Sequence, residues 1–291
     1  MRVSFRLPLV VAALAIWAAC SERGGDEEKA STAEGGQSGS SGSSGSASSD
    51  DAASSGSVGT MAGDAGATCS QSPPFSMVGL TQYEQAGVGN CDLPWPADNM
   101  YAAASSSDYD MGPLGPSGAC GRCVELTGPT GLTATLAVVD QCPTAGNPKC
   151  TNGHLDLSPQ AYAAVVPGNY PTGGEVVNGA TSASWRYVAC AVAGPIVYHF
   201  KDGTNPYWIA IQIRNSRFGI KAIRYLAAGG SWQDAQPRTD PLPYFVVTGW
   251  GSNAISLQAV DELGRALEDD DVKFAANADV AGHAQFPPCA P

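Results

Sequence analysis

The sequence predicts an almost all-β protein whose folded part begins near residue 69. Short β-prone runs, separated by turns rich in Gly and Pro, fill most of this part. In its first half only the segment 158–166 has the capping residue and the apolar spacing of a convincing helix. No strong helix interrupts the second half, which is typical of a small antiparallel β-sandwich.

Residues 1–20 predict an export signal. Two arginines precede an apolar run at 7–19, which is too short to span a membrane. Two alanines directly before Cys20 resemble a lipobox, in which the cysteine is lipidated and becomes the mature N-terminus. We therefore expect an exported protein attached to the outer membrane through a lipid on Cys20. The alternative is ordinary signal cleavage and release to the extracellular medium.

Residues 21–68 predict a disordered tether. They are Ser, Gly, Ala, Asp and Glu with almost no large apolar side chain, so they cannot bury enough surface to offset the entropy of ordering. A flexible chain of this length has a root-mean-square reach of roughly 40 Å. We expect it to hold the folded head away from the membrane.

The head at 69–291 is acidic, with 11 Lys and Arg against 19 Asp and Glu, a formal net charge of −8. This charge argues against a nucleic-acid partner. Apart from Cys20 the chain has eight cysteines, and an even number in an exported chain predicts disulfides. Cys120 and Cys123 form the one Cys-x-x-Cys pair, without a second pair or paired histidines. We expect no metal, no cofactor and a monomer.

The strand-like runs of the first half lie at 124–126, 132–139, 184–192 and 196–200. The helix at 158–166 has Ser158 as its cap and Pro159 in its first turn. Asp156 comes just before the helix, where free backbone N–H groups would favour its charged form if they point at it.

In the second half, the run at 207–214 alternates, with Ile209, Ile211 and Ile213 on one face and Trp208 on the other. Further strand-like runs lie at 220–227, 244–248, 255–260 and 272–275. No long linker separates the halves, so we expect two closely packed domains, 69–193 and 194–291.

Three segments together carry a family resemblance. They are Val139-Asp140-Gln141-Cys142-Pro143, His154-Leu155-Asp156-Leu157-Ser158 and Tyr207-Trp208-Ile209-Ala210-Ile211-Gln212-Ile213-Arg214-Asn215. In this order and at this spacing the chain resembles the expansins, most closely the microbial type, over nearly all of 69–291. The resemblance implies a six-stranded double-psi β-barrel followed by an immunoglobulin-like β-sandwich. It also implies an activity that loosens cell-wall polysaccharide networks without measurable hydrolysis.

The resemblance makes Asp140 and Asp156 the carboxylates of a polysaccharide groove. Endoglucanases and lytic transglycosylases use the same barrel, so the fold alone does not decide the chemistry. An inverting glycosidase needs a second carboxylate roughly 6.5–9.5 Å from the first, on the opposite side of the bond. Expansins have a Thr and a Tyr near that position, here Thr81 and Tyr83. Glu84 would permit hydrolysis if it entered the groove, but strand alternation turns it away from the Tyr83 side.

The resemblance adds His154 and Tyr109 to the candidate groove residues. His154 is interpreted as a packing or hydrogen-bonding neighbour of the groove rather than a proton carrier. Tyr83 and Tyr109 are candidate groove aromatics, although either could lie in the core. Asp140 could instead cap a barrel turn, and Asp156 could serve only the helix start.

In the second domain the family binds cellulose through a flat row of aromatic side chains, here predicted as Trp208, Tyr207 and Tyr244. Alternation would turn Tyr207 inward unless a bulge re-aims it. Strict alignment places Leu242 at the third position, with Tyr244 two residues further on. Trp250 and Trp232 are other candidates for that third ring.

Expansin relatives also imply the disulfide pairing. Cys142 stands where microbial members usually have an aromatic residue, and the pattern is nearer to the plant proteins. The implied pairs are Cys91–Cys120, Cys123–Cys190 and Cys142–Cys150, which leaves Cys69–Cys289 to join the two ends of the head.

The expected partner is cellulose, a related β-glucan or another cell-wall polysaccharide. Two rival hypotheses stay open. One is a glycan-cleaving enzyme on the same barrel, an endoglucanase or a peptidoglycan lytic transglycosylase. The other is a display module that only binds carbohydrate.

Overall fold

The structure is a computed structural model that describes residues 74–110, 114–166, 183–226, 230–238, 243–250 and 254–289. These residues all lie within one compact unit, Gly59–Pro291. The predicted export signal, the lipidation site Cys20 and the tether lie outside the described residues. Within the described ranges, no helix combines the length and the apolar character needed to cross a membrane.

The first half forms one seven-stranded sheet with the order β1-β7-β4-β5-β3-β6-β2. Its elements are β1 (Phe75–Val78), β2 (Leu80–Gln82), β3 (Tyr101–Ser105), α1 (Ser106–Tyr109), β4 (Cys123–Thr127), β5 (Thr133–Cys142), β6 (Leu155–Leu157), α2 (Pro159–Val165) and β7 (Ala183–Val188). Strands β1 and β2 lie at opposite edges of the sheet but are separated by Gly79 alone. This single run therefore closes the sheet into a barrel, which has six strands among the described residues if the run counts once.

The barrel core is built from alternating side chains. In β6, Leu155 and Leu157 are fully buried inside the barrel, while Asp156 between them points outward. The predicted helix is confirmed as α2: the Ser158 side chain accepts a hydrogen bond from the Ala161 N–H at 3.1 Å.

The second half forms two antiparallel sheets, with the orders β11-β10-β14-β15 and β12-β13-β9-β8-β16. Its strands are β8 (Val197–Phe200), β9 (Trp208–Arg214), β10 (Ile220–Leu226), β11 (Trp232–Asp234), β12 (Gln236–Pro237), β13 (Phe245–Thr248), β14 (Ala254–Asp261), β15 (Ala266–Lys273) and β16 (Ala278–Ala281). A shared apolar core lies between the sheets. The predicted all-β class, a barrel followed by a sandwich, is confirmed.

Strand β9 is buried on both faces, which the alternation alone did not indicate. Ile209 and Ile211 lie in the sandwich core, as predicted, but Ala210 and Gln212 on the other face are buried as well. Gln212 donates from Nε2 to the Cys91 carbonyl at 2.8 Å, so this face packs against the barrel.

Three further contacts fix the sandwich to the barrel. Arg214 donates to the Asp92 carbonyl at 2.8 Å, and Tyr244 donates from its hydroxyl to the Asp92 carboxylate at 2.7 Å. Arg122 of the barrel forms an ion pair with Glu262 of the sandwich. The relative position of the two halves is therefore set by direct hydrogen bonds and by an ion pair.

Three disulfides are described, Cys91–Cys120, Cys123–Cys190 and Cys142–Cys150, and they are the pairs that the resemblance implied. Cys289 is also disulfide-bonded, while its predicted partner Cys69 lies outside the described residues. Cys142–Cys150 closes the loop between β5 and β6, the two strands that carry the predicted groove aspartates.

Candidate functional site

Four residues form a row across neighbouring barrel strands. Thr81 on β2 is paired with Asp156 on β6, and Asp156 is paired with Ala103 on β3. Ala103 is paired on its other side with Asp140 on β5. Directly paired residues project to the same face of a sheet, and strands lie about 4.8 Å apart. Both carboxylates therefore stand on the outer face of the barrel, about 10 Å apart at the backbone, with only a methyl group between them.

Asp156 ends a chain of hydrogen bonds that begins at a buried histidine. Thr81 donates from Oγ1 to Asp156 Oδ1 at 2.8 Å, and His154 Nε2 lies 2.7 Å from the same Thr81 oxygen. Because the Thr81 proton is used on Asp156, His154 must donate from Nε2. Burial, followed by the charge of Lys149, lowers the pKa of His154 to about 4, so the ring is neutral at neutral pH.

The pKa of Asp156 is raised above its ordinary value. Burial is the main cause, the negative charge of Asp140 adds to it, and the hydrogen bond from Thr81 acts in the opposite direction. The helix start favours the charged form of Asp156 only if its free N–H groups point at the carboxylate, and among the described residues no hydrogen bond joins Asp156 to the start of α2. The Ala161 N–H that could have done so is instead bound to the Ser158 hydroxyl.

Asp140 is fixed by the backbone around it. Its Oδ1 atom accepts hydrogen bonds from the Asn90 N–H at 2.7 Å and from the Gln141 N–H at 2.8 Å. Asp140 thus caps a loop, which was one hypothesis for it, while it also lies in the row with Asp156, which was the other.

Tyr83 packs over the row of carboxylates. Its ring contacts the small cluster of Ala103, Cys142 and Cys150, and it meets the Tyr101 ring edge-on at 5.6 Å. The Tyr83 hydroxyl is buried and has no hydrogen-bond partner among the described residues. Burial and the nearby charge of Asp140 raise its pKa.

Of the other two candidate side chains, Tyr109 is buried and Glu84 is exposed. Tyr109 is fully buried in the barrel core, the alternative that the sequence left open, and its hydroxyl donates to the Asn90 carbonyl at 3.1 Å. It therefore supports the loop that holds Asp140 rather than the groove surface. Glu84 is exposed to solvent.

The sulfurs of Cys142 and Cys150 and a ring nitrogen of His154 lie within 4.8 Å of one another. The two sulfurs are joined in a disulfide, so neither offers the thiolate that a metal ion requires. This trio is part of the groove wall.

The sandwich presents two adjacent aromatic side chains. Tyr207 is 83% exposed and Trp208 is half-buried, with the Arg238 guanidinium 5.6 Å from the Trp208 ring centre. A turn, rather than a bulge, places Tyr207 outward. Asn205 and Trp208 exchange two backbone hydrogen bonds of 3.0 Å, which leaves Tyr207 at the tip of the turn.

Tyr244, the expected third ring of the aromatic row, does not face solvent. Tyr244 is 1% exposed, and its hydroxyl binds Asp92 of the barrel, so it joins the two halves of the protein instead of facing solvent. Trp250 is buried in the sandwich core, Trp232 is half-buried at the start of β11, and Leu242 lies outside the described residues.

Sequence reasoning missed the residues that position the groove. Asn90 holds Asp140 through its backbone N–H, which no side-chain pattern reveals. Ala103 separates the two aspartates, but a small residue in an alanine-rich strand carries no motif. The strand pairing itself was needed to find both.

The barrel, the sandwich and the paired aspartates agree with the architecture that the resemblance to the expansins implied. No family model matches the chain. Expansin-YoaJ of Bacillus subtilis (strain 168) is 28% identical over 199 residues, which cover 67% of this chain and 78% of that protein. Expansin-like protein 2 of Dictyostelium discoideum is 32% identical over 180 residues, or 60% of this chain and 39% of that protein.

Solved structures agree with the sequence relatives. The apo expansin of Clavibacter michiganensis has a TM-score of 0.62 and 28% identity, and the match covers 74% of this chain and 99% of that one. A mutant of the same expansin, in complex with cellohexaose, matches with a TM-score of 0.61 and the same identity and coverage. The resemblance to the microbial expansins is therefore confirmed in sequence and in fold.

Proposed function

We propose that this protein binds cellulose or a related β-glucan and loosens polysaccharide contacts without hydrolysing the chains. The observation that carries the proposal is the row of Thr81, Asp156, Ala103 and Asp140 on one outer face of the barrel. The complex of the Clavibacter michiganensis expansin with cellohexaose supports a cello-oligosaccharide as the ligand class.

The groove can hold a glucan strand by hydrogen bonds to its hydroxyl groups. Those accepted by Asp156 and Asp140 are charge-assisted and are the strongest available. His154 and Thr81 keep the Asp156 carboxylate in one orientation. Binding one strand in a fixed pose lowers the barrier to peeling it from its neighbours, and this step needs no covalent intermediate.

Cleavage would need an acid and a base on opposite sides of the scissile bond. Asp140 and Asp156 approach from the same face because both are paired with Ala103. The shared face of the two aspartates favours binding over hydrolysis. Glu84 is exposed to solvent, and the assay of released reducing ends tests whether it takes part.

The experiment that separates the two chemistries is an assay of reducing ends released from soluble β-glucan and from cellulose. We expect no release above background from the full chain at any concentration that saturates binding. Release that disappears in an Asp156→Asn variant would establish a hydrolase instead.

We further propose that the protein works outside the cell as a monomer, anchored through a lipid on Cys20. The charged n-region, the short apolar run and the small residues before Cys20 support this. Expression in a bacterial host should place the protein in the membrane fraction, and Cys20→Ser should release it or leave it unprocessed. A protein that is soluble with Cys20 intact would favour simple signal cleavage.

A further inference from the structure

We infer that Trp95 forms an additional sugar-stacking subsite at the Asp140 end of the groove. The inference rests on the proposed function, since it assumes that the groove holds a glucan chain. It extends that function by naming a side chain that decides how long a chain the groove can grip.

The position of Trp95 follows from the loop that anchors Asp140. Asn90 donates its N–H to Asp140, and Cys91 donates its N–H to the Val139 carbonyl at 3.3 Å. The loop therefore runs along the end of β5. Gly89 packs so closely there that a Cβ atom on it would lie 3.3 Å from both the Trp95 ring and the Asp140 carboxyl carbon. The ring edge and the carboxyl carbon are thus at most twice that distance apart.

The Trp95 ring is held before any ligand arrives. Its Nε1 donates to the Gly87 carbonyl at 3.0 Å, and one side of the ring packs on Tyr101 with ring centres 4.8 Å apart. Pro94 and Pro96 flank it and restrict the backbone. An immobilised ring loses little entropy on binding, so the side chain is prepared for contact.

The remaining surface of Trp95 is open, because the side chain is half-buried rather than enclosed. The C–H faces of a sugar ring pack on the flat face of an indole, which supplies a large apolar contact area. A glucan chain bound along the row from Asp156 to Asp140 reaches Trp95 if it continues past Asp140. The buried Tyr101 ring lies between Tyr83 and Trp95 and supports both, with ring centres 5.6 and 4.8 Å away.

We call Tyr207 and Trp208 the sandwich platform. The test uses the full chain with Trp208→Ala, which removes the larger ring of this platform, and measures cellohexaose affinity by calorimetry. Adding Trp95→Ala should weaken binding by about three- to tenfold, as expected for one aromatic stack. Trp95→Phe should lose less, since it keeps a ring. Trp232→Ala is the matched control, because Trp232 is also a half-buried tryptophan but lies on β11, outside the sheet that carries Trp208, and it should leave affinity unchanged.

A second readout does not depend on the stability of the alanine variant. Cellohexaose should change the indole emission of the Trp208→Ala protein, and the change should be absent when Trp95 is replaced by Phe. Equal affinities for the Trp95→Ala and Trp232→Ala proteins, with an unchanged emission response in Trp95→Phe, would overturn the subsite. If Asp156→Asn still weakens binding in that case, the proposed function stands and only the Trp95 inference fails. If Asp156→Asn has no effect either, the groove itself does not bind the ligand.

Discussion

The barrel groove and the sandwich platform differ in how they are held. The groove residues Thr81, Asp156 and Asp140 are fixed by the pairing of four strands and by hydrogen bonds behind them. The platform residues Tyr207 and Trp208 depend on one turn at the start of β9. We infer that the groove is rigid and selective, while the platform is a small contact that adds affinity and little specificity.

The largest effect is expected from Asp156→Asn. Burial and the nearby charge of Asp140 raise the pKa of this carboxyl group, so its charged form is disfavoured in the folded protein. The variant should therefore lose wall loosening while its melting temperature equals that of the parent or exceeds it. Calorimetry and the loosening assay on the same preparation check both halves. A variant that loosens walls normally, or melts lower, would contradict the account of the groove.

A pH titration should separate the groove from the platform. His154 has a folded pKa of about 4 against 6.5 when exposed, so the unfolded state takes up the proton first. Stability should be full above pH 6.5 and fall as the pH drops to 4, by roughly 3 kcal/mol for this group. Asp156 acts with the opposite sign, since its raised pKa favours the folded state when it is protonated.

Urea denaturation at several pH values measures this loss, and His154→Gln should flatten the profile between 6.5 and 4. If the variant and the parent lose stability in parallel over this range, His154 is not the group responsible. Binding of the platform to cellulose should change little over the same range, because the platform binds through aromatic ring faces.

Trp208→Ala should reduce cellulose binding by about tenfold, the value of one well-placed aromatic contact. Tyr207→Ala should cost less, because an exposed ring at a turn tip loses more freedom when it binds. A pull-down on cellulose with Trp232→Ala as control measures the difference. A larger loss for Tyr207 than for Trp208 would reverse the order of the two platform residues.

The smallest effects are expected at the contact between the two halves. Tyr244→Phe removes one hydrogen bond to Asp92 and should cost about 1 kcal/mol of stability, with no direct loss of cellulose binding. Gln212→Leu should cost a similar amount, because it leaves the Cys91 carbonyl without its partner. A large loss of cellulose binding in Tyr244→Phe, with stability unchanged, would indicate that Tyr244 belongs to the platform and contacts the ligand.

Much of the fold followed from the sequence because strands and turns leave local patterns. The alternation at Ile209 and Ile211, and the Ser158 cap of α2, appeared in the structure as expected. The strand expected at 272–275 was too short and displaced: β15 runs from Ala266 to Lys273. The sequence pattern of this strand is hard to recognise because its centre is acidic. Glu268 and Asp270 face solvent, and of these acidic residues only the buried Asp269 turns inward.

The site was harder to predict where long-range contacts override local pattern. From the sequence alone, Tyr244 and Gln212 look like exposed residues. In the structure Tyr244 contacts Asp92, and Gln212 contacts the Cys91 carbonyl. The direction of the Asp156 pKa shift also required the structure, because its main cause is burial, to which the charge of Asp140 adds. The aspartates themselves were found by motif, whereas their common face required strand pairing.

The most direct test of the central claim is the extension of heat-treated wall strips under constant load, with released reducing sugars assayed in the same bath. The account predicts that the full chain extends the strips, that Asp156→Asn does not, and that neither releases sugar. Extension that is unchanged by Asp156→Asn, or that rises only in step with released sugar, would contradict it.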